Sequence, residues 1–167
     1  MAIPNRGQTS CATYFITAGT WCKMNLLQLQ RMADLLCVTL FGYRAKNKFL
    51  VHAFVVMPNH VHLLISVPEG ATLERSLQLI KGGFSREAGK LLRLPHPFWQ
   101  NSFVDRRVRD GAEFERLVGY IDSNPVKAGL CSSAEDYSYS SANPRFALDP
   151  VPQRLKPVAQ EAECMHR

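Results

Sequence analysis

What this chain lacks narrows it first. Its five cysteines (Cys11, Cys22, Cys37, Cys131 and Cys164) are an odd number and include no C-x-x-C pair. That argues against a disulfide framework and against a zinc ribbon. No run of about 18 apolar residues occurs, so no membrane partner is expected. No basic-then-apolar leader opens the chain, which places the expected location in the cytosol. No internal repeat and no shift in composition marks a domain boundary.

What is present fits one domain with a real core. The chain has 167 residues, and its 20 Lys and Arg outnumber 14 Asp and Glu for a formal net charge of +6. That balance suits a polyanionic partner, although many basic proteins bind none. Residues 1–10 are polar with Pro4 and Gly7 and read as a flexible arm. From Asn143 on, prolines and few large apolar residues predict a mobile tail over 143–167.

Between these ends the pattern alternates. Thr13 to Ala18 are β-prone and form a first strand. Asn25 and Gln28 offer a capping box, and Leu29, Met32, Leu36 and Leu40 follow at helical spacing, which predicts a helix over 26–42. The apolar run 48–57 is a central strand, Pro58-Asn59 a turn, and 60–67 its returning partner. Thr72 caps a second helix with Leu73, Leu77, Ile80 and Phe84 inward. Within it, Gly82-Gly83 marks either close approach to a phosphate or a kink. A fourth strand is predicted over 102–109 and a third helix over 111–124, capped by Asp110 with Glu113. Pro125 disfavours helical geometry at Asn124, which sets the helix end there. Strand, helix, strand, strand, helix, strand, helix is an α+β order. It is the ferredoxin-like split β-α-β antiparallel sheet with an added C-terminal helix.

The chemistry gathers on two elements. Residues two apart on a strand share a face, so His60 and His62 project together while Val61, Leu63 and Ile65 point into a core. Paired imidazoles on an apolar strand are either two ligands of a metal site or two surface histidines. With a two-residue turn, His52 falls opposite Ile65 on the core face as a structural histidine, and a one-residue bulge would turn it over. The added helix is the natural cover for the histidine face. On it, Tyr120 and Asn124 are four apart, about 6 Å along the axis. If that face meets the histidines, His60, His62 and Asn124 make an open site tolerable to Mn²⁺ or Mg²⁺, zinc not excluded. Tyr120 then has a phosphorus to attack. Spacing alone favours a packed helix tyrosine over that nucleophile.

Cationic side chains lie elsewhere. Lys81, Arg86, Lys90 and Arg93 make one side of the second helix basic, usually only a solvated face. Trp99 with Arg106, Arg107 and Arg109 fits two readings equally: a contact for single-stranded nucleic acid, or a packed tryptophan beside a charged edge strand.

Four segments taken together resemble one family. They are Met57 to Leu64, Lys81 to Ser85, Tyr120 to Leu130, and Asp136-Tyr137 with Ser140-Ser141. In this order they are similar to the histidine-hydrophobic-histidine (HUH) and tyrosine-helix signatures of single-tyrosine transposases, in the form of the REP-associated tyrosine transposases. The likeness covers about residues 13–142. It implies metal-dependent cleavage and rejoining of single-stranded DNA next to hairpins of palindromic repeats. Tyr120 would carry a 5′-phosphotyrosine, Asn124 would be the third metal ligand, and no nucleotide cofactor would be needed. Members act as monomers or homodimers, some exchanging the tyrosine helix. Val104 and Asp122 stand where relatives often carry histidine, and Asp122 faces away from Tyr120 on the helix. Two other readings stand beside the enzyme. One is a domesticated, non-catalytic DNA- or RNA-binding protein on the same fold. The other is a small zinc hydrolase, for which a third strong ligand and a carboxylate base are wanting.

Overall fold

Strand pairing decides where every functional side chain points. The computed structural model describes residues 11–94 and 96–155. Strands β1 (Ala12–Gly19), β2 (Leu50–Met57), β3 (His60–Val67) and β4 (Val104–Arg107) form one antiparallel sheet in the order β2-β3-β1-β4. Period-two alternation sends Tyr14 and Ile16 of β1, Val61, Leu63 and Ile65 of β3, and Phe54 and Val56 of β2 into the larger core. Two helices, α1 (Gln30–Ala45) and α2 (Leu73–Leu91), close that face with Met32, Leu36, Leu40, Leu77, Ile80 and Phe84. The opposite face carries Ala53, Val55, Met57 and Leu64, against which α3 (Gly111–Lys127) lays Phe114, Leu117 and Ile121. Each such burial contributes roughly 1.5–3 kcal/mol, enough to hold a helix that would be marginal alone. The expected ferredoxin-like sheet with an added helix is the architecture found.

Local chemistry moves several predicted boundaries. Asn25 makes no side-chain cap; a 3-10 turn at Leu26–Gln28 comes first and α1 starts at Gln30. The Leu27 N–H donates to the Pro58 carbonyl (2.9 Å), which buries Leu27 and leaves Leu29 44% exposed. Strand β4 is shorter than predicted, at four residues. Helix α3 runs through Pro125 to Lys127 rather than ending at Asn124. The extra turn is secured at its end: Leu130 N–H reaches Pro125 O (2.9 Å), Gly129 N–H reaches Val126 O (2.9 Å), and Gly129 sits at φ +69°. This is a Schellman stop, which needs a residue tolerant of the left-handed region.

A bulge reverses one face assignment. Val51 pairs with Ile65 and Ala53 with Leu64, leaving His52 as the extra residue. His52 therefore turns toward α3, edge-on to Phe114 at 5.4 Å. It is buried and satisfied: Nδ1–H donates to Asp149 O (3.1 Å) and Nε2 accepts from Ser66 Oγ (2.7 Å). The structural role holds; the side of the sheet does not.

The tail expected to be mobile is, over 143–155, a packed strap. Phe146 stacks on Phe41 (5.2 Å) and meets Phe54 edge-on (4.9 Å). The Asp149 carboxylate accepts from Val51 N–H (2.7 Å) and takes a two-point grip from Arg44 (2.7 and 2.9 Å). Ser140 bridges to Val55, and Ser141 exchanges hydrogen bonds with Phe54 while donating to Asp122 (2.9 Å). Proline-rich composition hid a handful of anchors sufficient to dock the segment. The expected arm (1–10) and the end of the tail (156–167) lie outside the described residues.

Of the Gly82-Gly83 pair, Gly83 has a packing explanation. A Cβ at Gly83 would stand 2.8 Å from the Tyr43 ring, so this glycine lets α1 and α2 approach; at Gly82 nothing lies within 4 Å. Replacing Gly82 by alanine should stabilise the fold by about 0.5–1 kcal/mol. Gly83→Ala should come out about 1–2 kcal/mol less stable than Gly82→Ala. Urea titration of the pair reads the difference directly.

The start of α3 is fixed electrostatically. Asp110 Oδ1 accepts from Glu113 N–H (2.8 Å). The buried Glu113 carboxylate accepts from Arg109 N–H (2.9 Å) and is ion-paired with the Arg106 and Arg109 guanidiniums. The backbone N–H of Arg109 is the largest of the influences that hold the Glu113 carboxyl below the usual range. A depressed folded pKa stabilises above the unfolded value, near 4.3, and that stabilisation fades as pH falls through the folded one. Glu113→Gln should thus cost about 1–2 kcal/mol at neutral pH. In chemical denaturation the gap between wild type and variant should begin to close below a pH of about 4.3 and vanish once pH is under the folded pKa.

Candidate active site

The Pro58-Asn59 turn joins β2 to β3 and delivers the histidines. On β1, Gly19 lies opposite His60 and Thr17 opposite His62. His62 is 5% exposed and places Nδ1 2.8 Å from Thr17 Oγ1. His60 places Nδ1 2.7 Å from Asn59 Oδ1. An amide oxygen only accepts, so His60 Nδ1 carries the hydrogen and the Nε2 lone pair is left uncommitted. The Thr17 hydroxyl can impose the same tautomer on His62. Burial, and then a neighbouring charge, sets the charge state. Burial and the adjacent His60 push the His62 pKa down to about 4. Burial and then Lys23 lower that of His60. Both rings are neutral at physiological pH, as ligands must be.

The added helix brings the phenol to them. Tyr120 is edge-on to His62 (5.3 Å between centroids) and to Phe15 (5.9 Å), and is 42% exposed. With the two histidines it lines an open pocket of ≈ 460 Å³, completed by Thr17, Gly19, Lys23, Asn59, Gln100 and residues 102–104. A single chain therefore supplies both histidines and the tyrosine. Asn124 sits one turn further along α3, half-buried, its side chain without a hydrogen bond to another described residue. It does not line this pocket. Among the described residues no three His, Cys, Asp or Glu side chains cluster for a metal. Beside the imidazoles a cation would take oxygen ligands, and the Asn124 carboxamide, one turn along α3 from Tyr120, carries one.

The predicted nucleic-acid contacts separate. Trp99 is a correction: it is 5% exposed, packed edge-on against Phe84 (5.3 Å) and Phe98 (5.2 Å), so it has no ring face for a base. Lys81 Nζ donates to Gln100 O (2.8 Å) and braces the loop beside the pocket. Arg86 pairs with its neighbour Glu87 (3.2 Å) on α2, the far side of the sheet. On β4, Arg106 lies opposite Phe15 and Arg107 opposite Tyr14, so they point to opposite faces. Arg106 and Arg109 serve Glu113.

Other pocket residues carry weak or no sequence signal. Thr17 matters only through its pairing with His62, forty-five positions away. Lys23 follows Cys22 in a turn where both are left-handed, at φ 48° and 55°, without the glycine or asparagine that usually announces it. Each such residue costs about 1–2 kcal/mol.

Comparison with known proteins gives the same direction. The family model described as "Transposase IS200 like" matches residues 11–124, from the first strand to Asn124. The REP-associated tyrosine transposase of Escherichia coli K12 is 27% identical over 135 residues, 77% of this chain and 79% of that protein. The solved structure of a REP-associated tyrosine transposase bound to a REP hairpin superposes with a TM-score of 0.71 at 23% identity, covering 95% of this chain and 99% of that one. The paired histidines and the helix tyrosine both fall inside a match that spans well over half the sequence, and the chain belongs to the IS200-like transposase family.

Proposed function

We propose that this transposase cuts and rejoins single-stranded DNA beside a palindromic hairpin, with Tyr120 as nucleophile and a 5′-phosphotyrosine as the intermediate. One observation carries the reading: the phenol of α3 and the two neutral imidazoles of β3 open into the same pocket. A non-catalytic DNA- or RNA-binding protein on the same sheet needs neither group, so their meeting favours the enzyme.

The chain's own residues supply positioning and nucleophile. Edge contacts with Phe15 and His62 fix the Tyr120 ring while its exposure leaves the oxygen reachable. Thr17 and Asn59 hold the imidazoles by their Nδ1 atoms; where each Nδ1 carries the hydrogen, the Nε2 lone pair is left for a ligand. His60, His62 and Asn124 are the residues that would hold Mg²⁺ or Mn²⁺, a donor set both tolerate. When bound, such a cation offsets the charge that builds on a phosphodiester under attack. The phosphotyrosine keeps the bond energy, and a returning 3′-hydroxyl can displace Tyr120 without a nucleotide cofactor.

Hairpin DNA is the partner that the likeness to the hairpin-bound structure supports. Arg107 is exposed on the β4 edge, on the face it shares with Tyr14. The site needs one chain only, so monomer and homodimer both accommodate it. Among the described residues no helix is long and apolar enough to cross a membrane. A cytosolic location is part of this proposal.

With Mn²⁺ and a labelled oligonucleotide carrying the palindrome adjacent to the gene, wild type should yield a protein–DNA band on a denaturing gel. Tyr120→Phe should bind the hairpin equally well and yield none; an adduct in that variant ends the assignment. Thr17→Val should lower Mn²⁺ affinity about 10- to 100-fold by calorimetry, and Thr17→Ser should restore it. Equal affinity in the valine variant would remove Thr17 from its supporting role.

A further inference from the structure

The turn between β1 and α1 is built at a cost and aimed at the pocket. Cys22 and Lys23 are consecutive left-handed residues, and neither is glycine. Observed strain of this kind points to function when the surroundings enforce it, and here they do. Lys23 N–H donates to Thr20 O (3.1 Å) and Met24 N–H to Trp21 O (3.0 Å). The Thr20 hydroxyl lies within donating distance of Met24 O (2.6 Å) and Asn59 O (2.9 Å). Thr20 N–H also donates to Asn59 O (2.9 Å). The turn is therefore locked to the residue that orients His60. Lys23 lines the same pocket as His60, His62 and Tyr120, and its charge is felt at His60. The side chain is exposed, and among the described residues no carboxylate pairs with it. A lysine on a locked backbone, lining the pocket of a nucleophile and paired with no carboxylate among the described residues, is a site for an anion.

We propose that Lys23 holds a non-bridging oxygen of the DNA phosphate that Tyr120 attacks. This rests on the nucleophilic reading of Tyr120. In the step, the Tyr120 Oη–P bond forms as the P–O3′ bond breaks. The phenol loses one proton and the departing 3′-oxygen gains one. Lys23 keeps its three protons throughout and acts as a cation. The phosphoryl oxygens gain charge as the fifth bond forms, so the ammonium grips the transition state more strongly than the bound substrate. Lys23 is thus a catalytic residue of this chain, set on a different element from the histidines and the tyrosine.

The test uses the full chain with Mn²⁺ and the labelled hairpin oligonucleotide. Lys23→Gln should slow adduct formation on the order of 10²-fold. Mn²⁺ affinity of the DNA-free protein and thermal stability should stay near wild type, and the rate is read at saturating DNA. Lys23→Arg should recover most of the rate. An adduct rate in Lys23→Gln equal to wild type overturns the proposal, as does a loss explained by weaker Mn²⁺ binding or a lower melting temperature. A wild type that forms no adduct would sink the reading of Tyr120, and a second measurement then decides Lys23 by itself. With a short oligothymidylate, the salt dependence of binding should fall by about 0.7 in log–log slope for Lys23→Gln, the value of one phosphate contact. The same change at the remote Lys48 should leave the slope alone. An unaltered slope in Lys23→Gln removes Lys23 from the DNA path.

Discussion

The backbone oxygen of Asn59 is the point on which the site depends. It accepts the Thr20 N–H (2.9 Å) and lies within reach of the Thr20 hydroxyl (2.9 Å). Its own side chain orients His60, and the neighbouring Pro58 carbonyl receives Leu27 at the approach to α1. A two-residue turn thus ties together the end of β1, the strained turn after it, the approach to α1 and the histidine strand. Buried backbone groups that lose a partner cost free energy comparable to the bond itself. The arrangement is consequently stiff where the chemistry requires stiffness, and Gly19 supplies the room in which Gln100 closes it from the other side.

Two cores of unequal size sit on the two faces of one sheet, and this asymmetry divides labour. The larger, beneath α1 and α2, contains most of the big apolar side chains. The smaller one holds α3 through a short stripe centred on Phe114, Leu117 and Ile121. The tyrosine therefore rides on the element with the lesser apolar anchorage. Its first turn compensates by charge, through Glu113 and the arginines of the β4 edge. Side chains that composition alone would assign to DNA are spent there instead, on keeping the tyrosine helix seated.

The sequence disclosed what short-range periodicity encodes. The paired histidines, the core stripes of α2 and α3, the caps at Thr72 and Asp110, and the element order were all legible because each depends on residues a few positions apart. Two alternating faces and a turn were enough to bring Tyr120 over the histidine face. What escaped depends on distant partners. One extra residue in β2 turned His52 over, and no local pattern reveals a bulge. Trp99 misled because a stacking platform and a core anchor use the same side chain. Thr17 is one threonine among several until β1 is set beside β3. The strap over 143–155 has the composition of a loose end, yet Asp149, Phe146 and Leu155 find partners far upstream in sequence.

That strap reaches the far end of the tyrosine helix. The carbonyl of Leu155 lies so close to Gly111 that any Cβ there would be 2.3 Å from it, and Leu155 itself is buried in the smaller core. The family-model match closes at residue 124, but the folded unit does not. A fragment trimmed to that boundary would be cut inside its own hydrophobic interior, severing Arg44 from its carboxylate and uncovering the foundation of α3. The stretch that the family model matches and the physically complete fold end at different places in this polypeptide.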